Sequence, residues 1–477
     1  MRILLFLLCL PLFAAGQTSL QTAIDQFVAH PEFKNASIGI ALVDPAGNRY
    51  LAGYDPDRTL IPASTLKTVT TATALLVFGP EHRFETQLQY TGEIVDGTLR
   101  GDLILYGQGD PVLGSDQLEG ADPMDLVLQH WLEAIRGAGI QRIEGQVVGD
   151  DGYFTGDPVC YNWQWYDLGN YFAAGAHGLN FHENLYYLDL QRSTSVGSAV
   201  SALRTRPYIP VQFRSELTTA GPRTGDNAYI YGVPYTYQRT LRGTIPAGAK
   251  PFTIKGSIPD PPLFAAQTLH DHLIAQGIEI SDSATTTRYT QLPAGGRTVV
   301  HRHQSPPLRD IVRRANRKSV NYYCEVLLRH IGKALNGEGS RSEGVAAVQQ
   351  FWQDRGVSTE GWFLMDGSGL SPRNGITARQ LSLILAKISK ESIYADFLES
   401  LSLAGEYGTL RRRFVNSPAR KKLWGKSGTL SQVRSFAGYV QRPDGSRVAY
   451  TVIVNNYTGG GGATRLKIEA LLTDFVR

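Results

Sequence analysis

The sequence predicts an α+β protein in which an antiparallel sheet flanked by helices is interrupted by a long, mainly β insertion. Three observations predict it. Helical periodicity holds both ends of the chain, a strong hairpin signal lies near the C-terminus, and the texture between about 83 and 295 changes to short β-like runs rich in Gly and Pro. At 477 residues the chain is too long for one ordinary core, so two or three domains are expected.

From the N-terminus, "MRILLFLLCLPLFAAG" places Arg2 before an apolar run and the small residues Ala14, Ala15 and Gly16, the layout of a secretory signal peptide over 1–16. The run falls short of the roughly 20 residues needed to span a bilayer, so no transmembrane segment is expected in the mature chain. "SLQTAIDQFVA" reads as a helix, and "ASIGIALVDPAGNRYLAGYDP" as two strands around Asp44-Pro45-Ala46-Gly47. A helix follows, with Leu66, Val69, Thr73 and Leu76 at helical spacing and Pro62 just ahead. These residues, 17–82, form the first part of the outer domain. The inserted stretch, 83–295, holds runs such as "GDLILYGQGDPVL" and "NLYYLDL", broken by helical patterns near 124–137 and 263–276. From 296 to 477 helices return through "PLRDIVRRANRKSVNYYCEVLLRHIG" and "ITARQLSLILAKISK". "SFAGYV" and "RVAYTVIV" around Pro443-Asp444-Gly445 then form the hairpin, and a last helix starts near 463.

Composition excludes several classes. Charged residues make up 19% and hydrophobic ones 42%, far from disordered chains, and a net charge of +4 without a basic block gives no reason to expect nucleic acid. Cys160 and Cys324 are too few for a disulfide framework or a metal site and read as buried thiols. His301 and His303 read as solvated side chains in a charged loop, so no metal is expected.

Chemistry points to three segments. "STLK" sets Lys67 three places after Ser64, on the same face of a helix, where a neutral amine can take the proton of a weakly nucleophilic hydroxyl. Burial and a second cation nearby would keep that amine neutral. About one Ser-x-x-Lys is expected by chance in a chain of this composition, so the pair alone decides nothing. "KSVN" adds Ser319 and Asn321, and "GKSGTL" adds Lys426, Ser427 and Gly428 at the head of a strand. Gly428 lets a substrate backbone lie close to the strand, Lys426 supplies the second cation, and the Ser427 hydroxyl can hold a carboxylate. Ser-x-x-Lys, Ser-x-Asn and Lys-Ser-Gly in that order form the motif set of penicillin-binding proteins and class A β-lactamases.

With these motifs, and with "IPASTLKT", "GDLILYGQGDPVL" and "MDGSGLSPRNGITARQL", the chain resembles the class C low-molecular-mass penicillin-binding proteins, D-alanyl-D-alanine carboxypeptidases and endopeptidases of the cell wall. The resemblance implies a β-lactamase/transpeptidase-like domain. It also accounts for the roughly 250 residues between Lys67 and Ser319 by insertion of one or two mainly β domains. It implies Ser64 as nucleophile, Lys67 as base, Ser319 as proton relay to the leaving amine, and Asn321 as the residue that orients Lys67 and the substrate. Lys426 and Ser427 would bind the terminal carboxylate, and the N–H groups of Ser64 and Thr429 the oxyanion. In "WYDLGNYF" Asp167 and Phe172 stand where the family contacts the diamino-acid side chain of the stem peptide. Two departures show: Ser427 replaces the usual Thr, and Pro372 shifts Arg373 by one place from its usual position near a substrate carboxylate.

The implied partners are peptidoglycan stem peptides and, as covalent inhibitors, β-lactam antibiotics; no cofactor is implied, and the signal implies a periplasmic location. A β-lactamase or esterase on the same scaffold, or a non-catalytic peptidoglycan-binding protein, are the alternatives. A class A lactamase would need Glu-x-x-x-Asn between the second and third motifs, and an α/β-hydrolase Gly-x-Ser-x-Gly; the sequence contains neither.

Overall fold

The computed structural model describes residues 9–292 and 296–477. The expected signal segment lies outside the described residues up to position 8, and from Cys9 the backbone is helical to Val28. Among the described residues no helix is long and apolar enough to cross a membrane.

The chain forms two compact units. One contains the residues up to Glu81, Leu308–Asn336 and Arg341–Arg477; the other contains His82–Pro307 and Gly337–Ser340. The first unit is built on an antiparallel six-stranded sheet. Its spatial order is Arg49–Tyr54, Ser37–Asp44, Arg447–Asn455, Val433–Gln441, Leu423–Leu430, Ser402–Leu403. The first long strand therefore pairs with the last, Ile40 opposite Val452, which closes the sheet across the whole length of the chain.

Alternation along the strands sorts the two faces. Ile38, Ile40 and Leu42 join Phe436, Val440 and Val452 in a core with Ile24, Leu471 and Phe475 of the terminal helices. Burying each such side chain is worth roughly 1.5–3 kcal/mol. On the other face small residues admit the helix Ala378–Ile388: a Cβ on Gly39 would touch that of Ala378 at 3.5 Å, and Ser382 Oγ donates to the Ala41 carbonyl at 2.9 Å.

The helix Lys67–Phe78 is buried from Lys67 through Leu75 although it carries four threonines. Thr68, Thr71 and Thr73 donate to carbonyls one turn back and Thr70 to Gly367 O, so no hydroxyl is stranded. This lets a helix run through the centre of the unit against Leu308–Lys318 and Asn321–Asn336.

The inserted unit is mainly β. One sheet runs Thr285–Thr286, Val147–Asp150, Leu103–Gly107, Glu85–Tyr90, Thr298–Gln304. The helices Met124–Gly137 and Pro261–Ala275 cover it through Trp131, Ile135, Leu269 and Leu273. A second core gathers Leu188, Ile230, Leu241 and Ile254 from the strands between Leu185 and Ser257.

One expectation is corrected here. His301 and His303 lie on a strand, His301 paired with Leu88 and His303 with Thr86, and His303 is buried. Arg297 and Arg302 gave the segment the polarity of a loop, while its β-branched start, Thr298-Val299-Val300, suits the strand that pairs with Glu85–Tyr90 at the sheet's edge. Cys160 and Cys324 are buried and unbridged.

Candidate active site

Ser64 lies in the short 3₁₀ turn Ala63–Leu66, and Lys67 opens the α-helix that follows. In a 3₁₀ turn residues i and i+3 eclipse, which stacks the two side chains. Lys67 Nζ lies 3.1 Å from Ser64 Oγ and donates to Asn321 Oδ1 and to the Ser368 carbonyl, each at 2.6 Å. Ala63, just before the serine, has φ of 48°, a left-handed conformation that a non-glycine residue adopts only where its surroundings hold it there. Gly369 supplies the fit, because a Cβ there would lie 1.9 Å from the Ala63 carbonyl.

Ser319 sits between the helices Leu308–Lys318 and Asn321–Asn336, also left-handed with φ of 58°. The break in the helix turns its hydroxyl to Lys426 Nζ, which donates to it at 2.9 Å and to the Ser427 carbonyl at 2.7 Å. Ser64, Ser319, Asn321 and Ser427 are half-buried and Thr429 is exposed, whereas both lysines are sealed from solvent. A solvent-facing row of hydroxyls thus stands over two buried amines.

The electrostatics follow from that burial. Loss of hydration lowers the Lys67 ammonium from the usual lysine range, so that it sheds its proton more readily. Lys426 is lowered further, by burial first and by Lys67 second, so the two amines do not both hold a proton at low cost. Cys324, buried beside them, has its thiol pushed up to about 12 by burial and stays neutral.

The strand Leu423–Leu430 pairs along its length with Val433–Gln441, while Ser402–Leu403 pairs only with Trp424 and Gly425. Among the described residues, the backbone from Lys426 to Leu430 is therefore open on that edge, where an extended peptide can add as a strand. Thr409 Oγ1 lies 3.2 Å from Ser427 Oγ. It borders a basic cleft of about 740 Å³ lined by Arg317, Lys318, Arg411, Arg412 and Tyr407.

Gly428 also has a packing reason within the protein. A Cβ there would meet Ser435 Oγ at 2.2 Å, the Pro62 carbonyl at 2.7 Å and the Ser64 nitrogen at 2.9 Å. The missing side chain makes room for the turn that carries Ser64.

Residues 20–473 match the D-Ala-D-Ala carboxypeptidase 3 (S13) family. The chain belongs to this family. It is similar to the D-alanyl-D-alanine carboxypeptidase DacB of Haemophilus influenzae, with 26% identity across 93% of this chain and 90% of the relative. A D-alanyl-D-alanine carboxypeptidase of an Actinomadura species is 27% identical over 93% and 82% of the two chains. The crystal structure of penicillin-binding protein 4 from Haemophilus influenzae superposes with a TM-score of 0.79 at 25% identity, covering 96% of this chain and 98% of that one. The α+β, β-lactamase/transpeptidase-like architecture expected from sequence is thus the architecture observed.

Within this family member the first unit brings together Ser64, Lys67, Ser319, Asn321, Lys426, Ser427 and Gly428, with Thr429 next along the open edge. Arg373 is exposed on the loop that also supplies Ser368, while Asp167 and Phe172 belong to the inserted unit. The sequence picks out this loop by its resemblance, but not the contact that its Ser368 carbonyl makes with Lys67. Asp366 accepts from the N–H groups of Gly369 at 2.8 Å and Ser371 at 2.6 Å and from Asn374 Nδ2 at 2.8 Å, which holds the Ser368 carbonyl on Lys67. The run Asp-Gly-Ser-Gly signals a tight turn, yet a backbone carbonyl leaves no residue type by which to find it.

Proposed function

We propose that the protein is a serine D-alanyl-D-alanine carboxypeptidase, an endopeptidase on the same bond type, or both, acting on peptidoglycan stem peptides through an acyl-enzyme on Ser64. One observation carries the reading: Lys67 Nζ has two short acceptors at 2.6 Å and the Ser64 hydroxyl at 3.1 Å. A neutral amine has two N–H donors and one lone pair. Asn321 and the Ser368 carbonyl take the donors, and the lone pair is left for the Ser64 proton.

Ser64 Oγ attacks the carbonyl carbon of the penultimate D-alanine as its proton passes to Lys67. Negative charge collects on the carbonyl oxygen, where the N–H groups of Ser64 and Thr429 receive it; one such donor is worth about 2.7–4 kcal/mol. Ser319, held by Lys426, gives its proton to the leaving amine as the C–N bond breaks and takes in its place the proton that Lys67 received from Ser64, so that both groups return to their starting state. Water then attacks the ester, one of its protons passing by way of Lys67 to Ser64 Oγ as the C–O bond breaks, and the shortened peptide leaves as a carboxylate. The leaving amine is D-alanine in a carboxypeptidase and the cross-bridging residue in an endopeptidase. In a β-lactam the amine stays tethered to the acyl group after ring opening and blocks the water, so these drugs should acylate Ser64 and remain.

The terminal carboxylate is assigned to Ser427 and Lys426, with the adjoining basic cleft drawing anionic peptides to the open edge. Asp167 and Phe172 are assigned to the diamino-acid side chain and Arg373 to a substrate carboxylate. A stem-peptide substrate and the N-terminal signal pattern both support a periplasmic location. The test is incubation of the full mature chain with muropeptides ending in D-Ala-D-Ala. Free D-alanine or separated cross-links should form with the wild type and not with Ser64→Ala; intact muropeptides in both would overturn the reading.

A further inference from the structure

The inserted unit gathers three metal-ligating side chains that the peptidase chemistry does not use. Asp122 precedes the helix Met124–Gly137, His130 lies within it, and His303 lies on the strand Thr298–Gln304. His130 Nδ1 is 3.5 Å from Asp122 Oδ2, and His303 Nδ1 is 3.9 Å from the same oxygen. Donor atoms of all three side chains lie within 4.8 Å of one another.

These separations discriminate between two roles. An N–H···O hydrogen bond would draw nitrogen and oxygen to about 2.7–3.2 Å. Ligands bound at about 2.0–2.1 Å to one tetrahedral centre instead stand roughly 3.4 Å apart, the edge of that tetrahedron. The two His–Asp122 separations lie on the long side of hydrogen bonding and within about 0.5 Å of the tetrahedral edge, and the whole trio lies within 4.8 Å, so a bound ion would draw the two imidazoles inward. His303 is 7% exposed, which shields the centre, while His130 and Asp122 are half-buried and leave a way in. His301 precedes His303 by two residues on the same strand face, and its ring centroid is 6.3 Å from that of His130.

We propose that Asp122, His130 and His303 bind one divalent transition-metal ion of the Zn²⁺ class, with the fourth position filled by water or by His301. Two imidazoles and one carboxylate suit zinc, copper or nickel; calcium and magnesium require oxygen ligands. The ion would join the helix to the edge strand of its sheet, a strand that among the described residues is paired on one side only. All the ligands belong to the inserted unit, so the role is structural and separate from the chemistry at Ser64.

The test uses the full mature chain, free of any affinity tag, stripped with EDTA and equilibrated with ZnCl₂. Elemental analysis should find about one zinc per chain, together with a rise in Tm that EDTA reverses. His130→Ala, at a half-exposed position, and His303→Gln should each weaken binding by at least about tenfold. Co²⁺ in place of zinc should give the intense visible bands of a tetrahedral site in the wild type only. No zinc uptake by the wild type, or uptake undiminished in His130→Ala, would overturn the proposal.

Discussion

Asn321→Asp changes one atom and should disable the base. Asn321 Oδ1 accepts from Lys67 Nζ at 2.6 Å, so the substitution puts a carboxylate against a sealed amine without altering shape. At that distance two unit charges attract by about 6 kcal/mol even at an effective dielectric constant near 20. Desolvation of the new carboxylate offsets part of this, yet the remainder holds the lysine as an ammonium. If the pair instead shares its proton as a neutral acid and amine, the acid's O–H occupies the lone pair that Ser64 needs. Either way the base is lost at neutral pH.

An opposite charge in contact displaces a titration by about 1–3 units, and each unit costs tenfold in the reactive fraction, so acylation by a β-lactam at pH 7 should fall roughly 10- to 1,000-fold. The sign is set by the base. Burial lowers the Lys67 titration from the usual lysine range, so wild-type acylation should fall on the acid side as the amine gains its proton. In Asn321→Asp that acid limb should move to higher pH, with rate recovered in alkali. Stopped-flow acylation across pH reads this directly. Asn321→Ala is the control, since it removes orientation and should lower the rate at every pH. An unmoved acid limb in Asn321→Asp, or an unchanged rate at pH 7, would refute a neutral Lys67.

Two further predictions follow from the same geometry. Gly428→Ala should cost about 1–3 kcal/mol by calorimetry, because the added methyl has no room beside Ser435 and Pro62. By displacing Ser64 it should also slow acylation about 100-fold; wild-type acylation would refute the packing account. Burial raises the Asp167 carboxyl to about 6, so the charge that would meet a diamino-acid ammonium is present above that pH and lost below it. The preference for diaminopimelate-containing peptides over plain acyl-D-Ala-D-Ala should therefore grow as pH rises through 6. Asp167→Asn should remove about 10- to 150-fold of it while sparing β-lactam acylation, and equal losses on both would take Asp167 out of the substrate site.

Much of the site was legible because its chemistry depends on side-chain type. Ser64, Lys67, Ser319, Asn321 and Lys426 stand out by residue type and spacing, and the fold brings them together across a long insertion. The fold was legible where periodicity was clean, as in the strands Val433–Gln441 and Arg447–Asn455, which the sequence marks by alternation around Pro443-Asp444-Gly445. What escaped was carried by backbone and by distant packing. Ser368 acts through a carbonyl that any residue could supply, and the need for Gly428 comes from Pro62 and Ser64, far away in sequence. His303 was misread because local charge masked a strand whose burial is set by the helix Met124–Gly137 packed on its sheet.

The most direct measurement is peptide mapping by mass spectrometry after brief exposure of the full mature chain to benzylpenicillin. A single penicilloyl group should be found on the peptide containing Ser64, and none on Ser64→Ala. No adduct on the wild type, or an adduct on any other residue, would contradict the claim that Ser64 is the nucleophile.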